Sequence, residues 1–88
     1  MKILRQTRAG SLESNDLMVV MKPLGDREGI KLEINSIVQN QYGDRIREVV
    51  TEVLKRNGIM DAYIMIQDRG ALDCTIKARV ETAIKRGL

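Results

Sequence analysis

The run Leu17-Met18-Val19-Val20-Met21 carries the strongest strand signal in the chain, and its surroundings limit what the chain can become. All five positions are apolar, which reads as a strand covered on both faces. Just ahead of it lie Glu13, Ser14, Asn15 and Asp16. These are turn-forming residue types: Asn and Asp bond their own backbone and tolerate left-handed conformations. The expectation is an exposed turn feeding a buried strand, with the Ser14 hydroxyl standing on a rigid base.

The rest of the chain alternates between two periods. Ala9 to Leu12 reads as a short strand, which makes Glu13–Asp16 a hairpin turn. Residues 1–9 are basic and read as a frayed end rather than a first strand. Pro23-Leu24-Gly25-Asp26-Arg27-Glu28-Gly29 is a loop. Ile30-Lys31-Leu32-Glu33-Ile34-Asn35 alternates, with one face buried and one wet, and its spacing suits an antiparallel partner for Leu17–Lys22. Tyr42, Ile46, Val49, Val50, Val53 and Leu54 then recur at helical spacing. That helix starts near Val38, with Ser36 and Gln39 as a candidate capping box, and stops at Asn57-Gly58. Ala62–Gln67 is a further strand. Leu72, Ile76, Val80, Ala83 and Ile84 mark a second helix closed by Gly87, with Asp68 or Asp73 as its candidate cap. The expected fold is α+β, one domain over residues 1–88. It has a small sheet of three to four mainly antiparallel strands with two helices packed on one face, in the order (β)ββαβα.

Composition narrows the function. The 88 residues suffice for one modest core. There is no His, Phe or Trp, so the core must be aliphatic, and the commonest general base and metal ligand are missing. The acids Asp16, Glu28, Glu33, Asp44, Asp68 and Asp73 have no calcium-loop spacing, so no metal is expected. The glycines form neither a P-loop nor a dinucleotide fingerprint. The formal charge of +3 fits acidic surfaces without choosing among them. The single Cys74 excludes an internal disulfide and suits a reducing compartment. No apolar run approaches the roughly 20 residues of a membrane span, and none resembles a signal peptide. The expectation is therefore a cytoplasmic protein that does not enter a membrane.

Few residues qualify for chemistry. Cys74 has no His to activate it and reads as a small half-buried helix residue. Lys77, Arg79, Lys85 and Arg86 fit a docking patch and an ordinary wet helix face equally well. The five Met residues read mostly as core. Ser14, on turn chemistry alone, is an ordinary turn serine.

The run Ala9-Gly10-Ser11-Leu12-Glu13-Ser14-Asn15-Asp16 resembles the amino-terminal motif of the citrate lyase acyl carrier family, the gamma subunit. The likeness continues through Leu32-Glu33-Ile34-Asn35-Ser36, Gln41-Tyr42-Gly43-Asp44 and Ile46-Arg47. It returns at Asp68-Arg69-Gly70-Ala71-Leu72-Asp73-Cys74 and Ala78-Arg79-Val80-Glu81, and so covers nearly the whole chain. Asn15 stands where Gly is common in the motif; both accept turn geometry.

The resemblance implies a non-catalytic carrier. Ser14, rather than the nearby Ser11, would hold a phosphoribosyl-dephospho-coenzyme A (dephospho-CoA) prosthetic group through a phosphodiester, with Glu13, Asn15 and Asp16 as the supporting turn. The implied partners are the citrate lyase alpha and beta subunits, which exchange and cleave the acyl thioester, together with a cofactor transferase and an acetylating ligase. A carrier needs no base of its own, which agrees with the missing His. Two other readings stand beside it: the carrier subunit of malonate decarboxylase, and a small basic nucleic-acid-binding module. The lack of Phe and Trp for base stacking weighs against the latter.

Overall fold

A computed structural model describes residues 2–36 and 39–88, and of residues 39–42 the backbone only. The elements are β1 (Thr7–Gly10), β2 (Leu17–Pro23), β3 (Ile30–Ser36), α1 (Gln39–Arg56), β4 (Ala62–Asp68) and α2 (Asp73–Gly87). This is the expected α+β order. The Gln39 half of the capping box, the Tyr42 side chain and the helix start near Val38 lie outside the described residues.

The sheet runs β1-β2-β4-β3. β1 pairs with β2 and β2 with β4, both antiparallel, whereas β3 lies parallel to β4. The expected antiparallel pairing of Leu17–Lys22 with Ile30–Asn35 is therefore corrected: β4 inserts between them. The physical reason is α1, which follows β3 and returns the chain parallel to it, as a helical crossover does.

Both helices cover one face of the sheet. Leu17, Val19 and Met21 of β2 and Ile64 and Ile66 of β4 point into it, against Ile46, Val49, Val50, Val53 and Leu54 of α1 and Ile76, Val80, Ala83 and Ile84 of α2. The opposite face keeps Met18, Val20, Tyr63 and Met65 only half-buried. β2 is thus covered on one face, not two; its outward residues are apolar yet still meet solvent. Met21 is the core methionine, and Met60 is 76% exposed, so most of the described methionines are not core.

The N-terminal segment is packed rather than frayed. Ile3 is buried, the Leu4 amide donates to the Gly87 carbonyl at 2.7 Å, and the Arg5 guanidinium donates to the Leu88 carbonyl at 2.8 Å. Thr7 is buried and donates its hydroxyl to the Ala83 carbonyl at 2.8 Å. The first strand accordingly begins two residues earlier than expected and ends at Gly10.

Candidate functional site

Gly10 ends β1 with φ +93°. A Cβ there would stand 1.8 Å from the Leu17 carbonyl oxygen. Only glycine lets the two strands approach this closely, and the hairpin loop of residues 11–16 begins from that contact. The Ser11 amide then donates to the Leu17 carbonyl at 3.1 Å, closing the loop at its base.

At the tip, the Asp16 amide donates to the Glu13 carbonyl at 3.2 Å. Ser14 and Asn15 are the two central residues of this turn. Asn15 has φ +64°, the left-handed value that a type II turn demands at its third position and that Asn accepts. Two further bonds fasten the loop to the segment after β4: the Asn15 amide to the Arg69 carbonyl at 2.8 Å, and the Arg69 amide to the Asp16 carbonyl at 2.9 Å.

Asp16 anchors the loop from below. Its carboxylate accepts the Ser11 hydroxyl at 2.7 Å, the Leu17 amide at 2.7 Å, and the Arg79 guanidinium at 3.0 and 3.1 Å. The guanidinium's hydrogen bonds, with those of Ser11 and Leu17, hold this carboxyl down at about 2 despite partial burial. The fork geometry makes the Arg79 contact a bidentate, charge-assisted pair.

The two loop serines thereby separate. The Ser11 hydroxyl is half-buried and committed to Asp16, and it also accepts the Glu13 amide at 3.3 Å. Ser14 is exposed, as are Glu13 and Asn15. Its hydroxyl makes no hydrogen bond among the described residues. Arg79 is the site residue that sequence reasoning missed. In sequence it reads as part of a basic patch or wet face, but it reaches a carboxylate 63 positions away, and no local pattern signals such a contact. Arg86 is likewise engaged, donating to the Arg8 carbonyl at 2.8 Å. Lys85 is exposed and Lys77 half-exposed.

A cleft of about 620 Å³ opens between α1 and the start of α2, lined by Arg45 and Ile46 of α1 and by residues 68, 70–74 and 76. Asp68, only 1% exposed, builds its wall. Its carboxylate accepts the Ser36 hydroxyl at 2.8 Å, the Gly70 amide at 3.1 Å and the Ala71 amide at 2.9 Å. Asp68 therefore caps the β4–α2 loop and not the helix; α2 has Leu72 at its N-cap and no side-chain cap bond. Asp73 instead pairs with Arg45 at 2.6 Å. Cys74 lines the cleft and is exposed, a correction to the half-buried position expected of it: its place in the first turn of α2 turns it away from the core. Among the described residues no three acids or cysteines converge as a metal site, and no helix is long and apolar enough to cross a membrane.

Comparison with known proteins now bears on this geometry. Residues 4–87 match the acyl carrier family model described as Malonate decarboxylase delta subunit (MdcD). The fold is similar to a chain in the crystal structure of a Pseudomonas malonate decarboxylase hetero-tetramer in complex with malonate, with a TM-score of 0.77 at 17% identity over 98% of this chain and 87% of that one. The class is thus a small α+β acyl carrier. The citrate lyase acyl carrier protein of Rhodopseudomonas palustris (strain BisA53) is 48% identical over 100% of this chain and 89% of its own length. That of Streptococcus mutans is 48% identical over 98% of this chain and 83% of its own. The chain belongs to the citrate lyase acyl carrier protein family.

Proposed function

We propose that this chain is the acyl carrier subunit of a citrate lyase, without catalysis of its own, and that Ser14 is its point of covalent attachment. The observation that carries the reading is the contrast within one loop: Ser11 is tied inward to Asp16 at 2.7 Å, while Ser14 is exposed at the tip of a turn fastened on both sides. A modifying enzyme needs a hydroxyl it can surround, and Ser14 meets that need. Glu13, Asn15 and Asp16 hold the turn.

The group we assign to it, on the family resemblance, is phosphoribosyl-dephospho-CoA, joined by a phosphodiester to the exposed Ser14 oxygen; when bound, its thiol would supply the thioester chemistry. The chain's own part is to fix the attachment oxygen and leave the approach to it open. A tether on a fixed turn keeps the acyl group at high effective concentration beside the alpha and beta subunits. A cofactor transferase and an acetylating ligase would load it, in the cytoplasm.

Intact-protein mass spectrometry after co-expression with citrate lyase cofactor-transfer enzymes tests the reading. The expected result is a mass increase of coenzyme-A size, lost in Ser14→Ala; an unmodified wild-type chain overturns it. The family model and the structural neighbour favour one second reading, the carrier of malonate decarboxylase. Reconstitution with one or the other set of partner subunits separates the two.

A further inference from the structure

We propose that the cleft between α1 and the start of α2 is a resting site for the thiol-bearing end of the arm, an amide chain closed by a short acyl thioester. This rests on attachment at Ser14.

The first support is continuity. Asn15, the neighbour of Ser14, bonds the Arg69 carbonyl, and a Cβ on Gly70 would lie 3.8 Å from the Asn15 side-chain oxygen. Gly70 and Ala71 are already cleft wall. The attachment turn therefore abuts Gly70, a residue of the cleft wall.

The second support is size and chemistry. About 620 Å³ falls within the range of small-ligand sites. Ile46, Ala71, Leu72 and Ile76 give the cleft apolar walls suited to an alkyl chain and a small acyl group. The Arg45–Asp73 pair, joined at 2.6 and 3.0 Å, adds a donor and an acceptor for amides at the edge. Leu72 is 70% exposed, a large apolar side chain on the rim that a passing chain would cover.

The third is tethering. An arm fixed at Ser14 is present at millimolar effective concentration, so contacts too weak to hold a free molecule suffice. Resting there would shield the thioester from water between visits to the partner subunits.

Cys74 reports on the cleft. Alkylation of Cys74 by a maleimide, read by peptide mass spectrometry, is compared in the unmodified protein, the Ser14-modified protein with its arm acetylated, and the modified Leu72→Asp variant. The expected rate falls about tenfold on modification, corresponding to an arm docked about nine-tenths of the time, and returns toward the unmodified rate in Leu72→Asp. A modified protein whose Cys74 reacts unchanged overturns this inference and leaves attachment standing, as does protection that persists in full in Leu72→Asp. A chain with no mass increase removes the attachment reading, and the resting site with it.

Discussion

The Asp16 carboxylate and the Arg79 guanidinium meet through two hydrogen bonds, 3.0 and 3.1 Å long, and so clamp the hairpin loop to α2. The loop is a surface turn by sequence and a braced one by structure.

Because the Asp16 carboxyl is depressed from 3.8 to about 2, its ionised form stabilises the fold at neutral pH. That stability is fully present above the ordinary carboxylate range and is lost as pH falls from about 4 through about 2. Discounted for the half-exposed Arg79, it amounts to roughly 1–2 kcal/mol. Urea denaturation of wild type and Asp16→Asn should show a gap at pH 6 that narrows steadily toward pH 2. A gap independent of pH would contradict the clamp.

Ser11→Ala and Ser14→Ala should behave in opposite ways. Ser11→Ala strips a hydrogen bond from the Asp16 carboxylate and should cost about 1 kcal/mol while modification proceeds. Ser14→Ala touches no internal bond and should change stability by less than about 0.5 kcal/mol while modification is lost. Thermal melts paired with intact mass measure both.

Gly10→Ala should destabilise by about 2–3 kcal/mol or more, since it combines φ +93° with a backbone clash at the Leu17 carbonyl. Gly29→Ala is the control. Its φ is +76° but the space around it is open, so only the conformational penalty of about 1–2 kcal/mol remains. Denaturant midpoints of the two variants should differ in that order.

Asp68→Ala leaves the Ser36 hydroxyl and the Gly70 and Ala71 amides without their acceptor and should cost about 3 kcal/mol. Hydrogen exchange should speed up at Gly70 and Ala71 first, before the central β2 and β4 amides are affected.

The elements themselves were legible because each has a clear period: alternation in Ile30–Asn35, helical spacing from Ile46 to Leu54. The tip turn was legible because its chemistry is local, with Asn15 taking the left-handed position. Strand order was not. The loop of residues 24–29 is short enough for a hairpin, and nothing in it says that β4 will claim the place between β2 and β3. The half-open back of β2 was hidden for a related reason: Met18 and Val20 look like core residues, and only the absence of a second layer leaves them partly wet. Arg79 was illegible because its partner is distant in sequence, and the role of Asp68 because its three donors come from two separate segments.

The bonds from Arg69 and Arg79 to the hairpin, with the Ser11–Asp16 bond inside it, leave Ser14 little room to wander. A group attached to its oxygen, as proposed, would pivot about a fixed point whenever it leaves the cleft. The reach of such a pendant, rather than any bending of the protein, would then set how far apart two docking partners could stand.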